Sequence, residues 1–529
     1  GNTFIDWSCD CDFGDMDNDG DLDLFHGTYG GAFGGQVPTR LFLNDGSGFF
    51  SEFNPSGFQL TTTTIVAGNP GIWCQGTQTT NTTNSTGTNC DVASSALDID
   101  AVDADGDFDL DMLHGARQEA PRYFKNLLQE NGTLAWRDVT GSALPAGYWS
   151  GGDNYEQEQG DMDNDGDWDL YGLNWPGLSD AVFNNTSAGG NITYGSMQTL
   201  AASGNDDNEG DFFDYDNDGD MDIIVAAFAS TDRLYRNNYA GGAPGTFSYT
   251  QVNPAGLTSG RALDSDVADI DNDGDYDIMT AEDAGQNEKL YKNTLNPGDN
   301  KAALIAKTEQ IASGAADTTA RIARATIKDS GNYYTTWYNT NKVAVSVDGF
   351  KLPEFTAITS QGNVFRVSLP GNLLGSVSYS WSSKDEHGNT GVSATKNYTA
   401  TGAPVGLLYG TQVVGPAGPV TIQALSEPFP GTDLYIGAGG GNVNQSIVVA
   451  FSAAPALVPI DFGGGLISNL AFPPIDGKRI FADADGEVVA KFPIPLGSSG
   501  SQVYFQAFSR YATAGNTFAS SQGLEITIP

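Results

Sequence analysis

Short apolar runs set between acidic or glycine-rich turns give this chain its pattern. Residues 22–25 (LDLF), 221–226 (MDIIVA) and 276–280 (YDIMT) each leave a cluster of aspartates, and runs this short bounded by turn residues predict strands. Further along, residues 342–347 (KVAVSV), 364–369 (VFRVSL) and 377–381 (VSYSW) alternate with period two, which predicts strands with one buried face. Beyond residue 403 the strand candidates are 420–424, 434–436, 446–451, 488–492, 502–508 and 524–528. A Pro/Gly/Ala/Asp-rich connector at 297–319 includes a short stretch of helical character, residues 302–311. No apolar run approaches the roughly 20 residues that span a bilayer, so no direct membrane insertion is expected.

The strands are organised by a repeat. An Asp-rich nonapeptide occurs at residues 15–23 (DMDNDGDLD), 101–109 (AVDADGDFD), 161–169 (DMDNDGDWD), 214–222 (DYDNDGDMD) and 269–277 (DIDNDGDYD). Its glycines, Gly20, Gly106, Gly166, Gly219 and Gly274, are 86, 60, 53 and 55 residues apart, the longer first interval holding an insertion with Cys74 and Cys90. An aromatic residue and, two places on, an asparagine follow each glycine: Phe42 and Asn44, Phe124 and Asn126, Phe183 and Asn185, Tyr235 and Asn237, Tyr291 and Asn293. Glycine-led segments of strand character come next, as in 132–139 (GTLAWRDV) and 245–252 (GTFSYTQV). Each unit thus offers roughly four short strands, which suits a β-propeller blade. The fifth unit lacks an outer strand after Asn293, while the chain opens on GNTFIDW, which has that character. The expected fold is all-β: a five-bladed propeller at 1–296 whose N-terminal strand closes the last blade, a linker at 297–319, an immunoglobulin or fibronectin III-like β-sandwich at 320–402 and a C-terminal β-sandwich at 403–529.

The nonapeptide D-x-D-x-D-G-x-x-D supplies hard oxygen ligands to Ca²⁺. Carboxylates at positions one, three and five turn inward, the glycine permits the turn, position seven offers its carbonyl and position nine closes the shell. The candidate ligands are Asp15, Asp17, Asp19, Asp21 and Asp23 in the first loop, and Asp161, Asp163, Asp165, Asp167 and Asp169 in the third. They are Asp214, Asp216, Asp218, Asp220 and Asp222 in the fourth, and Asp269, Asp271, Asp273, Asp275 and Asp277 in the fifth. The second copy has Ala101 at position one and offers Asp103, Asp105, Asp107 and Asp109. There Asp98, Asp100 or water fills the gap, or the chain slips two residues to use Asp103, Asp105, Asp107 and Asp111, and altered occupancy is expected. About one ion per loop follows. An EF-hand would need Glu at position twelve, which instead holds His26, Met112, Gly172, Val225 and Thr280. An acidic residue three places before each loop, Asp12, Asp98, Glu158, Asp211 and Asp266, is expected to face a central axis as a ring of hydrated or cation-holding carboxylates.

These five segments resemble FG-GAP/VCBS repeats, the calcium-loop blades of integrin α-chain propellers, some fungal propeller lectins and many secreted bacterial proteins. The resemblance covers about residues 1–300 and implies calcium and a propeller. Residues 383–391 (SKDEHGNTG) resemble the strand-turn near the end of bacterial immunoglobulin-like or fibronectin III-like modules, which implies a spacer or adhesion module. Residues 403–529 resemble C-terminal β-domains of secreted bacterial surface proteins. Residues 483–487 (DADGE) begin like the calcium loop but lack its later carboxylates, and read as an ordinary turn.

Composition narrows the role. The 529 residues carry 66 acidic against 24 basic side chains, a formal charge of -42, which excludes a phosphate backbone as partner, so no nucleic acid is expected. The three histidines, His26, His114 and His387, lie far apart, which argues against a Ser/His/Asp centre, and no enzymatic activity is expected. Four cysteines fall in the first 90 residues. A Cys74–Cys90 disulfide is expected, with Cys9 and Cys11 each pairing to one of them as the alternative. The start at Gly1, without a signal-like segment, reads as the processed form of an exported protein at the cell surface or outside the cell. The expected role is structural or adhesive, with an extracellular protein, a glycan or further copies of the chain as partner; a propeller lectin stacking sugars on Trp7, Trp149, Trp168 or Trp175 is the alternative.

Overall fold

The computed structural model describes residues 8–28, 39–55, 96–116, 121–145, 154–174, 179–294, 298–329, 339–461, 467–471, 474, 476–511 and 517–529, the single positions 229, 240, 244, 253, 255, 259, 284 and 404 excepted. Among these residues the chain is all-β, with two four-residue helices, Leu128–Asn131 and Thr140–Ala143, and many separate sheets, nearly all antiparallel. No helix among the described residues is long and apolar enough to cross a membrane.

Each Asp loop joins the first two strands of an antiparallel meander. The first unit runs β1 (Ser8–Gly14), β2 (Asp23–Thr28), β3 (Arg40–Asn44), β4 (Phe50–Glu52), and the second β5 (Ala96–Val102), β6 (Asp111–Ala116), β7 (Arg122–Asn126), β8 (Trp136–Asp138). The third is β9 (Asn154–Gly160), β10 (Asp169–Asn174), β11 (Ala181–Asn185), β12 (Tyr194–Thr199), and the fourth β13 (Asp207–Phe213), β14 (Asp222–Ala227), β15 (Arg233–Asn237), β16 (Tyr249–Val252). The fifth shows three described strands, β17 (Ala262–Ala268), β18 (Asp277–Glu282) and β19 (Lys289–Tyr291). Residues 1–7, the segment expected to close it, lie outside the described residues, as does the insertion with Cys74 and Cys90.

The units pack face to face through their second strands. Met112 of β6 lies in the core shared by units one and two while its neighbour Leu113 lies in the core shared by units two and three. Likewise Ile223 and Val225 of β14 face unit three and Ile224 faces unit five. Alternate side chains of a strand point to opposite faces, so a strand buried on both reads as a continuous apolar run, which is why residues 222–227 show no alternation. Four such cores join the five units in a row. At its ends, Phe13 on β1 and Leu263, Ile270, Met279 and Leu290 of the fifth unit are roughly half exposed.

Beyond the repeats, two sheets share a core of Ala325, Ile327, Phe365, Val367, Val345, Tyr379 and Trp381. The connector is part of this body and not a linker: residues 304–308 form a strand paired with Arg321–Lys328, and residues 314–315 pair in parallel with Lys396–Thr401. The short helix read at 302–311 is therefore a strand, its Ala303 and Ile311 buried in the sheet core. Residues 407–527 form further sheets, whose main core takes Ile436, Ala438, Val488 and Ala490 from one sheet and Ile447, Val449, Phe505, Ala507 and Leu524 from another. All six strand candidates there coincide with strands.

Candidate metal centres

One hydrogen-bond scheme recurs in the loops. In the third, Asp161 Oδ1 accepts from the Asp165 amide and Oδ2 from the Gly166 amide, both at 3.1 Å, and Asp165 Oδ1 accepts from Asp167 at 2.9 Å. Asp169 holds the ends together: Oδ2 accepts from the Met162 amide at 2.9 Å and Oδ1 from the Asn185 amide at 2.7 Å. Asp23, Asp222 and Asp277 make the same pair of contacts in their loops. The repeated asparagine also stitches units together. Nδ2 of Asn185 donates to the carbonyl of Ala104 in the preceding loop at 2.9 Å, and Asn126, Asn237 and Asn293 reach Met16, Met162 and Tyr215 in the same way. Position four is left-handed, at φ 60 for Asn164, and position six at φ 89 for Gly166, which explains the invariant spacing of Asn and Gly in four loops.

The second loop takes the slipped register. Asp103 accepts from the amides of Asp107 and Phe108, and Asp111 accepts from Ala104 and Asn126, so Asp111 is the ninth residue and Asp109 the seventh. The strand pairing agrees, Val102 facing Asp111 as Gly160 faces Asp169. Five carboxylates at odd positions outweigh the glycine: Gly106 takes the left-handed fourth place and Phe108 the sixth at φ 69, a conformation costing about 1–2 kcal/mol for a side chain with Cβ. The slip also corrects the inner acidic position, which is Asp100 and not Asp98.

The donor set fits a hard cation. Carboxylate oxygens of Asp15, Asp17 and Asp19 lie within 4.8 Å of one another, as do those of Asp103, Asp105 and Asp107, of Asp161, Asp163 and Asp169 and of Asp214, Asp216 and Asp218. Asp105 Oδ1, Asp109 Oδ1, Asp163 Oδ1 and Asp216 Oδ1 are buried with no hydrogen-bond partner, atoms that a cation would satisfy. Burial, with repulsion from neighbouring aspartates, pushes Asp17 and Asp165 up to about 6, Asp23 and Asp214 to about 7 and Asp220 to about 8.

Cations of the chain itself surround the loops. Arg366 Nη1 reaches Asp15 Oδ2 at 2.7 Å and the Asn18 carbonyl at 3.0 Å, Lys328 donates to the Asp161 carbonyl at 2.5 Å and Lys301 to that of Asp218 at 2.8 Å. Lys307 pairs with Asp167, and His387 Nε2 lies 3.1 Å from Asp269 Oδ2. All five come from residues 301–387, so that body lies across the loop-bearing face. Within the units, Lys125 pairs with Asp105 and Lys292 with Asp271 and Asp273.

The first strand of each unit carries two carboxylates: Asp12, Asp100, Glu158, Asp211 and Asp266 form one tier, and Asp10, Asp98, Glu156, Glu209 and Asp264 the other. The second tier escapes a reading that looks only at the loops. Its members link adjacent strands, Asp10 accepting from the Ile99 amide, Asp98 from Gln157 and Glu156 from Gly210. Burial first, then mutual repulsion, holds Asp98, Glu158 and Glu209 well above the usual carboxylate range, and Asp264 of the fifth unit contributes to raising Asp10 of the first.

Other residues fall in ordinary settings. His26 meets Ser8 and His114 meets Thr39; burial, then Arg122, lowers His114 to about 3. Trp168 is buried in the core between units two and three, while Trp7, Trp149 and Trp175 lie outside the described residues. Cys9 and Cys11 are exposed on β1. Residues 483–487 form a turn closed on Asp483 Oδ1.

A family model described as an FG-GAP-like repeat matches residues 214–280, the fourth loop through β18 up to Thr280. No curated protein matches the chain. Solved structures that align include a 1.5-MDa bacterial ice-binding adhesin, at 14% identity, covering 60% of this chain and 96% of that one with a TM-score of 0.15. The tetra-tandem repeat in the extending region of a large adhesion protein aligns at 10% identity over 95% of both chains, TM-score 0.15. A Ca²⁺-stabilized adhesin of an Antarctic bacterium aligns at 12% identity, covering 82% of this chain and 98% of that one, TM-score 0.14. TM-scores of this size do not mark a common arrangement of strands.

Proposed function

We propose that the chain is a calcium-stabilised structural or adhesive protein of the cell surface or extracellular matrix. Its repeats form a propeller of the FG-GAP/VCBS type around the two carboxylate tiers, and two β-sandwiches follow, the first immunoglobulin-like. The observation that carries this reading is the loop geometry, in which buried carboxylate oxygens converge and some, as on Asp163, have no partner. Calcium supplies the charge that lets these oxygens stay ionised together; the chain's residues hold them in place through the amide contacts of positions one and nine. The succession of inner strands, with Asp10 of the first unit near Asp264 of the fifth, supports an axial arrangement. A non-enzymatic role is supported by three histidines in three unrelated settings. Thermal unfolding with and without chelator, paired with elemental analysis, tests the reading. A melting temperature many degrees lower in chelator is expected, and an unchanged curve from a metal-free protein would end it.

A further inference from the structure

In the second loop a buried cation of the same unit holds the carboxylate at position three. Lys125, between Phe124 and Asn126, turns its ammonium into the loop, where Nζ pairs with Asp105, lies 2.6 Å from Glu130 Oε1 and donates to the Gly190 carbonyl at 2.7 Å. Asp107 Oδ2 stands at 3.9 Å. An ammonium has three N–H donors, and three close acceptors match them. The side chain is 5% exposed and that of Asp105 0%. The equivalent position in the other units holds Leu43, Asn184, Arg236 and Lys292. The first two carry no charge, and Arg236, whose charge also acts on Asp216, makes only an exposed contact with Asn238 Oδ1 at 3.4 Å and, among the described residues, no ion pair with the loop. Lys292 does reach Asp271 and Asp273, but those three side chains are 42–47% exposed, a surface cluster that water and salt weaken and a divalent ion displaces.

We propose that the second loop is closed by Lys125 instead of by metal: its ammonium stands where the other loops take their ion, and this loop binds no Ca²⁺. The inference rests on the calcium reading above. A divalent ion among Asp103, Asp105 and Asp107 would stand beside a buried cation that already holds Asp105, and the lysine could leave only by giving up its three acceptors. Lys307, which faces Asp103 from the neighbouring body, adds positive charge at the same loop. Because Gly190 belongs to the third unit, the ammonium also serves as a permanent tie between units two and three.

Equilibrium dialysis with elemental analysis, counting calcium per folded chain, tests this. Asp163→Asn is expected to lose one ion and Asp105→Asn none. Lys125→Met is expected to gain one ion, which Lys125→Met with Asp105→Asn loses again. An ion lost in Asp105→Asn alone, or no gain in folded Lys125→Met, overturns the proposal. If Lys125→Met does not fold, the comparison of Asp105→Asn with Asp163→Asn decides it. Absence of calcium from the unaltered chain overturns the calcium reading as well, and so is told apart from failure at the second loop.

Discussion

Asp216 and Asp220 sit four residues apart in one loop and separate two kinds of carboxylate. Asp216 Oδ1, at position three, lies buried without a partner among oxygens that converge, whereas position seven offers calcium its backbone carbonyl, leaving the Asp220 side chain with burial and nothing gained. In calcium, Asp216→Asn is expected to lower the melting temperature by more than Asp220→Asn; equal losses by calorimetry would contradict the assignment. In chelator, Asp220→Asn is expected to raise the melting temperature, because the amide removes a charge that burial and the neighbouring carboxylates disfavour. The same shifts set a pH dependence. A carboxyl whose pKa is higher folded than unfolded binds its proton more tightly when folded, so its contribution is fully present below the ordinary 3.8 and is lost as pH rises through the folded value, about 6 for Asp17, 7 for Asp214 and 8 for Asp220. Melting temperatures in chelator should therefore fall from pH 5 to pH 8, and calcium should flatten the slope. The ligands themselves were legible because their spacing is local. Lys125 was not, since nothing in the string FKN marks a lysine that meets Glu130 and Gly190.

At the scale of elements, the asparagine after each aromatic residue shows how a short-range pattern carries a long-range contact. The sequence displays the pair as a periodic signal, but the partner, a carbonyl 75–110 residues back, emerges only when units stack. Asn126 Nδ2 serves Met16 and Leu110, both carbonyls buried, so Asn126→Ala removes two bonds and strands their acceptors; about 2–3 kcal/mol is expected by urea denaturation. Among the described residues, Nδ2 of Asn44 donates to Leu22 in its own loop and to no carbonyl of another unit, so Asn44→Ala should cost less. A loss at Asn44 as large as at Asn126 would show that a further carbonyl serves it. Two elements resisted the sequence for a related reason. The slip of the second loop is settled by Asp111 gripping Asn126, and the two-residue strand at 314–315 exists only because residues 396–401 lie alongside. Local propensity cannot report a partner that remote.

Across the whole molecule, the body that includes residues 301–401 acts as a strap over the loops. Its cations face all five loops, Arg366 the first, Lys307 the second and third, Lys328 the third, Lys301 the fourth and His387 the fifth, and Gln361 reaches Asp12 of β1 at 3.1 Å. Two of these contacts are buried: Arg366 and Asp15 are 6% and 1% exposed, Lys328 and Asp161 5% and 2%. Removing one partner of a buried pair leaves the other charge uncompensated, at about 3–5 kcal/mol, whereas the more exposed Lys307 pair contributes about 1 kcal/mol or less. Lys328 and Lys301 bind backbone carbonyls of the loops, and Arg366 and His387 meet the position-one carboxylates of Asp15 and Asp269, so the strap and an ion bound in the loops hold the same segments in place. The repeats and the strap should then unfold together in calcium, as one cooperative transition. Arg366→Ala with Lys328→Ala is expected to split that transition in two, while Lys307→Ala leaves it single. A double variant that still melts in one step would mean that Val364, buried in the core of units one and two with Met16 and Leu110, holds the two bodies together without the ion pairs.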